Sequence, residues 1–517
     1  MNERAKSALP VASGLLLAAS TPPAPSPILP FIALVPLAIL LRRLPDDPRG
    51  AFAAVGAGMV AGALQHAWGL RWLPFTLGAV AGPATGWVAF AAVLAVLAGL
   101  TGVAAWATHR LTAGPNGLPP AFALPFAWVG LEWALAHLPF GLAFPWTPLG
   151  LGLARWPATL GVAELVGIGG VTAWLALVSG LVAEALDTAP ARALRAVGLW
   201  ACALVLAFAP VWWGYMRAAR LDGFAASMPV GRVTALALDV PPSATDPAWA
   251  RTSVAAAERA LASVAPGSTD LAVLPEMVLA LDPNTPAGNA LVERLRVQSE
   301  RIGAPILVGA LGGDDARAFN SAMLIGADGI GAFRADKRRL VPGVERTSAV
   351  HAPWLAPVEA GGYDAGEGFP VALAGPLRAG VLICYEVAFG ADARRLVRNG
   401  ANTLVALTSD AWFGGGSGAR SAGIAQQMAH LTVRAVETRT SAVRSSNGGP
   451  AALIGPSGLE LSRAAWPSET AAAGVVPEAP VPTLFVRTGD VTGPVAAMCL
   501  VALLVLTIPR RRHDSSM

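Results

Sequence analysis

The run Arg378-Ala379-Gly380-Val381-Leu382-Ile383-Cys384-Tyr385-Glu386 decides how the polar half of this chain is read. A short, mostly apolar β-type stretch ends at a thiol, and a carboxylate follows two positions later. In α/β sheets, reactive side chains gather where strands end and loops begin. The flanking sequence keeps to the same scheme. Arg232–Leu238, Asp270–Leu274, Ala304–Gly309, Ser321–Ile325, a run near 330–334 and Thr403–Thr408 read as further strands. Residues 246–265, 286–302 and 420–437 read as helices, and strands alternating with helices indicate β-α-β units.

Two more candidates stand at such strand ends. Glu276 follows Leu274-Pro275, and Lys337 follows the turn after the 330–334 run. Carboxylate, amine and thiol together supply a base, a cation and a nucleophile. The thiolate is the attacking species, so a nearby base and a nearby positive charge both help. Of 37 basic residues only Lys6 and Lys337 are lysines. Arginine keeps its proton, whereas a buried lysine can release it, which makes Lys337 a chemical candidate; an incidental surface lysine is the plain alternative. Cys384 is the one thiol of the polar region. Cys202 and Cys499 lie in apolar runs where packing is their expected role, and three scattered cysteines form neither a disulfide framework nor a C-x-x-C metal spacing. A Cys–His pair could use only His351 or His430, neither of them in a recognisable catalytic motif, and no G-x-S-x-G motif is present.

The rest of the chain is of another kind. Of its 517 residues 54% are hydrophobic and 14% charged, against about 25% charged in soluble proteins. A spanning helix needs about 20 mainly apolar residues. Spans are expected near 9–21, 27–41, 51–68, 85–107, 120–138, 160–186, 195–214 and 490–509. The first, with Arg4 and Lys6 before a short apolar stretch, also reads as a cleaved signal peptide. With the N-terminus in the cytoplasm, Arg4, Lys6, Arg42, Arg43, Arg49, Arg110, Arg192, Arg195 and Arg510 to Arg512 fall on the cytoplasmic side, and only Arg71 and Arg155 in the short loops opposite. The positive-inside rule then puts the polar region outside the cytoplasm. The expected organisation is a membrane domain over 1–216 with about seven helices, an extracytoplasmic domain over 230–486, a last span over 490–509 and a cytoplasmic tail over 510–517. The net charge of +4 carries no basic run interleaved with aromatics in the polar region, so nucleic acid is not an expected partner.

Around the three candidates the sequence resembles the nitrilase superfamily, and within it the apolipoprotein N-acyltransferases. Leu274-Pro275-Glu276 is similar to the motif of the catalytic glutamate. Lys337-Arg338-Arg339-Leu340-Val341-Pro342-Gly343-Val344-Glu345 is similar to K-x-x-L-V-P-x-x-E, and Ile383-Cys384-Tyr385-Glu386 to the nucleophile motif. Thr408–Gly414, Arg444–Gly449 and, in the apolar half, Phe144-Pro145-Trp146-Thr147-Pro148-Leu149-Gly150 resemble further signatures. The resemblance covers essentially the whole chain.

It implies an α-β-β-α sandwich beside an α-helical membrane bundle of about eight transmembrane helices, in a bacterial inner membrane with the catalytic domain on the periplasmic side. It implies a general base in Glu276, an oxyanion-stabilising cation in Lys337 and an acyl thioester on Cys384. Glu345 and Glu386 are implied supporting carboxylates, for which salt bridges with Arg338, Arg339 or Arg346 are the structural alternative. Tyr385 is expected to wall the pocket or simply to pack. The implied reaction moves an acyl chain from a membrane phospholipid to the α-amino group of a diacylglyceryl-cysteine on a lipoprotein, with neither metal nor organic cofactor. Where the family commonly has V-Q-G-N/D-I-P-Q, this chain reads Leu236-Ala237-Leu238-Asp239-Val240-Pro241-Pro242; Arg339 stands where a histidine is usual, and 414–424 lacks the usual histidines. The rival readings are a membrane-bound amidase or nitrilase acting on a small carbon–nitrogen substrate, and a transporter or scaffold whose outer domain only binds; Glu132 and Glu164 within the apolar runs suit the latter.

Overall fold

A computed structural model describes residues 3–114, 116–188, 192–225, 227–241, 248–313, 317–345, 362–414, 417–467, 469–477 and 481–507. Most of 343–363, with Arg346 and His351, and the tail at 510–517 lie outside these residues.

Helices occupy the chain up to Ala225, and the strands follow: β1 (Pro229–Leu238), β2 (Leu271–Val273), β3 (Ile306–Gly313), β4 (Ala318–Gly326), β5 (Gly329–Asp336), β6 (Val371–Ala374), β7 (Leu377–Ile383), β8 (Thr403–Ser409), β9 (Ser441–Asn447), β10 (Ala452–Ile454), β11 (Glu460–Arg463) and β12 (Thr470–Pro477). Every strand read from the sequence is present. Strands β6 and β9 to β12 were not foreseen: β6, β10 and β11 are short, β9 carries several polar residues, and β12 is mostly alanine and glycine before its two valines.

The strand order is β5-β4-β3-β2-β1-β9-β8-β7-β6, with β12 antiparallel to β1 and β10 antiparallel to β9. β1 meets β9 over just Ala237–Ser446 and Leu238–Asn447, so the sheet divides there into two halves. Side chains alternate across each strand. Val233, Ala235 and Ala237 of β1 join Val381 and Ile383 of β7 in a core between the two halves. Leu236 and Leu238 point the other way, onto the helices Trp249–Ala262 and Pro286–Ile302. Leu382 of β7 faces the helices Gly390–Arg398 and Ser417–Thr438. These faces make four layers, α-β-β-α.

The second helical layer also packs on the apolar half, since Leu70, Trp72, Phe90 and Trp146 share its core. Pro83–Thr112, Ala163–Asp187 and Ala193–Phe224 are long and apolar enough to cross a membrane; Ser7–Ser20, Pro120–Ala136 and Thr492–Leu506 are apolar but shorter. The single helix expected over 27–41 is instead two, Leu29–Ile32 and Val35–Arg43, each with a proline at its start. Proline lacks the N–H that a continuous helix needs, so it opens a helix readily and interrupts one elsewhere. Ala163–Asp187 is broken at Gly167 (φ 66°, ψ −177°). The break frees the Ile168 N–H, which donates to Glu437 Oε1 at 2.8 Å and ties the apolar half to the sheet domain.

Candidate active site

β2 and β3 run parallel, and β5 runs in their direction because it is antiparallel to β4 and β4 to β3. β7, β8 and β9 are mutually parallel in the other half. Glu276, Lys337 and Cys384 each follow the C-terminal end of one of these strands.

Each is held by local backbone constraint. Cys384 has φ 51°, a conformation rare for a residue with a side chain, at the point where β7 gives way to a 3-10 turn over Cys384–Ala388. Glu276 precedes Met277, which has φ 58°. Its loop lies directly on β3: the Gly309 N–H donates to Pro275 O at 3.0 Å. A Cβ on Gly309 would stand 2.5 Å from Glu276 Cα and 2.5 Å from Met277 N, both backbone atoms. Gly309→Ala therefore has to displace the glutamate, and a misplacement of about 1 Å costs about 100-fold in rate. Steady-state turnover of that variant, beside its melting temperature, checks the expectation; wild-type turnover would refute it.

Lys337, 1% exposed, lies between two carboxylates, with Nζ donating to Glu276 Oε1 at 3.0 Å and to Glu345 Oε1 at 2.7 Å. Asn320 Nδ2 donates to the same two oxygens, at 2.8 and 3.0 Å. Glu345 Oε2 accepts from Val341 N at 2.9 Å. Burial works against the lysine's charge, but Glu276 and Glu345 outweigh it and hold the ammonium well above the ordinary lysine range. A buried lysine can release its proton, but two carboxylates at 3.0 and 2.7 Å favour the charged form, in keeping with the cation that the resemblance implies.

The Cys384 thiol is pushed well up, chiefly by burial and then by Glu276, while Lys337 pulls the other way. A neutral thiol of this kind needs a base at the moment it attacks. Gln427 Nε2, from the Ser417–Thr438 helix, donates to Sγ at 3.4 Å.

Glu386 is buried and accepts from Ile383 N at 2.8 Å, Arg338 N at 2.7 Å and Arg338 Nη2 at 2.8 Å. It joins the nucleophile turn to the lysine segment, and its ion pair is the one with Arg338 that the structural alternative named. Glu345 pairs with Lys337. Of the two readings of Tyr385, packing is what its contacts show. It packs against Trp146 (centroids 5.7 Å apart, planes at 18°), and its hydroxyl donates to Ala143 O at 2.7 Å, fastening the nucleophile turn to the Phe144-Pro145-Trp146 segment. Two other signature segments meet each other: Asp410 accepts from Thr408 Oγ1 (3.0 Å), Ser446 Oγ (2.8 Å) and the Arg444 guanidinium. His430 is engaged with Trp146 O at 3.0 Å.

Asn320 and Gln427 were not singled out from the sequence. The available signals were weak: an amide in a buried strand, and a Gln426-Gln427 pair on a helix that carries several other polar residues.

A layered sheet with these residues at its strand ends, joined to apolar helices, defines a carbon–nitrogen hydrolase domain on a membrane-type scaffold. Residues 233–478 match the carbon-nitrogen hydrolase family, and residues 13–181 match the apolipoprotein N-acyltransferase N-terminal domain. The chain is 30% identical over 460 residues to an apolipoprotein N-acyltransferase of Geobacter metallireducens, covering 86% of this chain and 84% of that protein. It is 29% identical over 534 residues to one of Gloeobacter violaceus, covering 97% and 94%. An amidase structure from Nesterenkonia sp. AN1 aligns with 50% of this chain and 94% of its own at 18% identity and a TM-score of 0.38. This chain belongs to the apolipoprotein N-acyltransferase family.

Proposed function

We propose that the protein is an N-acyltransferase that moves an acyl chain from a membrane phospholipid, through a thioester on Cys384, to the α-amino group of a diacylglyceryl-cysteine at a lipoprotein N-terminus. The observation that carries the reading is Lys337 lodged between Glu276 and Glu345 beside a neutral thiol, in a chain whose apolar half also matches this family.

In this reading Glu276 takes the Cys384 proton as Sγ attacks the ester carbonyl carbon. Lys337 stabilises the oxyanion that forms. The intermediate collapses, the C–O bond breaks, and Glu276 returns its proton to the departing oxygen, releasing a lysophospholipid. The acceptor's neutral α-amine then attacks the thioester carbon. Glu276 removes a proton from nitrogen, the C–S bond breaks, and the proton passes to sulfur, restoring the thiol and leaving an amide. Glu345 and Glu386 act as positioning groups, one on Lys337 and the other on the nucleophile turn, and Tyr385 holds the wall.

The reading extends to a multi-pass protein of about eight spans, with residues 1–216 and 490–509 in a bacterial inner membrane and 230–486 as its periplasmic catalytic domain; three helices long and apolar enough to cross a membrane support its membrane character. Both substrates are lipid-anchored, so a thiol held at the outer membrane surface suits them.

The test is intact-protein mass spectrometry of the detergent-purified protein after incubation with phospholipid alone. The expected result is one acyl mass, labile to hydroxylamine, mapped to the peptide containing Cys384 and discharged by a diacylated lipopeptide. A folded protein that forms no adduct and instead hydrolyses small amides would overturn the acyl-transfer reading.

A further inference from the structure

Gln426 and Gln427 are neighbours on the Ser417–Thr438 helix, both buried, and their hydrogen bonding is opposite in character. Gln426 has every capacity filled. Its Nε2 donates to Gly69 O (2.7 Å) and Pro22 O (3.3 Å), and its Oε1 accepts from Trp146 Nε1 (2.7 Å) and Trp72 Nε1 (2.9 Å). These bonds, with that of His430 one turn on to Trp146 O, fix the rotation of the helix. Gln427 is thereby held on the face toward the thiol and cannot swing away to find other partners.

Gln427 is 2% exposed, and its Nε2 donates to Cys384 Sγ. Its Oε1 is buried and has no hydrogen-bond partner among the described residues. A buried acceptor left empty is unfavourable, and in folded proteins such groups are few. This one shares a carbon with the nitrogen that touches sulfur. It is therefore one amide width from the atom that touches sulfur, within reach of a group reacting at Sγ.

The chemistry of the two half-reactions says which reactant fills it. An ester carbonyl approaching Sγ offers acceptors only, so the first half-reaction leaves Oε1 empty. A primary amine approaching the thioester has two N–H groups and needs only one of them to meet the base. The geometry points to Gln427 Oε1 as the acceptor that receives the second N–H of the incoming α-amine and aims its lone pair at the thioester carbon. This inference rests on the acyl-transfer reading and goes beyond it in giving the amine its own binding residue. The covalent balance is unchanged: the N–C bond forms, the C–S bond breaks, and one proton passes from nitrogen through Glu276 to sulfur.

Two substitutions separate this role from the contact with sulfur. Gln427→Met is of similar length and has neither the donor nor the strong acceptor. Gln427→Glu is isosteric, loses the donor to sulfur and keeps acceptor oxygens. Both lose the sulfur contact, so any difference between them reports on the acceptor. Acyl-enzyme formation from phospholipid and its discharge by a diacylated lipopeptide with a free α-amine are timed separately by mass spectrometry. In Gln427→Met, discharge is expected to slow about 10- to 100-fold, the scale of one lost hydrogen bond in a transition state. Acylation should fall less than about 5-fold, and Gln427→Glu should recover most of the discharge rate. Gln427→Ala makes the same comparison if the methionine variant does not fold. Equal slowing of both steps, or a glutamate variant no better than the methionine one, refutes the inference while the acyl-transfer reading stands. Absence of any adduct on the wild type refutes both.

Discussion

Cys384→Ala is expected to form no acyl adduct and to lose at least about 10,000-fold in turnover, the scale seen when a nucleophile that acts as part of a unit is removed. No other thiol can take over: Cys202 lies on the Ala193–Ala225 helix and Cys499 on the Thr492–Leu506 helix. The fold should tolerate the change, because among the described residues Sγ has one side-chain hydrogen bond, from Gln427, and alanine asks for the same backbone at φ 51°. A melting temperature near wild type with no adduct and no lipopeptide acylation is the expected pair of results. Cys384→Ser should behave almost as badly, since a buried hydroxyl is a far weaker nucleophile than a thiol even with a base at hand. Retention of a hydroxylamine-labile acyl mass in the alanine variant would move the nucleophile elsewhere.

Lys337→Met is expected to damage both activity and stability, and the two losses can be separated. The substitution leaves Glu276 and Glu345 facing one another around Asn320 with no cation between them. Breaking a buried ion pair in this way typically costs about 3–5 kcal/mol. Turnover should fall by at least about 100- to 1,000-fold, the usual loss when a group that stabilises an oxyanion is removed. Adding Glu345→Gln removes one of the two opposed charges. The double variant should regain much of the stability, measured by denaturant or thermal unfolding in detergent, and none of the turnover. If turnover returned together with stability, Lys337 would be a scaffold residue and the oxyanion would need another partner. The charge state has a sign of its own: the lysine is held above its ordinary range, so its stabilising contribution is complete below about pH 10.5, the ordinary lysine value, and fades as pH climbs through the higher folded value.

The chemistry at the strand ends was readable in the chain because each of the three groups ends or closely follows a β-type run, and local patterning carries that information. The layered sheet was less fully readable. β10 has three residues and β11 four, and β9 includes Arg444, Ser445 and Ser446, polar side chains that a propensity argument discounts and that are buried here because Asp410 and the backbone satisfy them. In the apolar half, composition announced membrane character, but the prolines between 27 and 41 divide one expected helix into two, and an apolar stretch alone does not say whether its backbone stays continuous.

By itself the sequence determined the candidate reacting groups, their placement after strands, and the pairing of a polar domain with apolar helices, since all of these depend on neighbours along the chain. Only the tertiary structure decided that Lys337 is a fixed cation between two carboxylates, that Asn320 grips both, that Glu386 serves the backbone of the nucleophile turn, and that Gln427 stands over the thiol with an empty acceptor. Those contacts join residues from 25 to 61 positions apart, except for Lys337–Glu345 and Glu386–Ile383. The order of strands and the rotation of one helix set such distances, and both follow from packing between layers that no local pattern records.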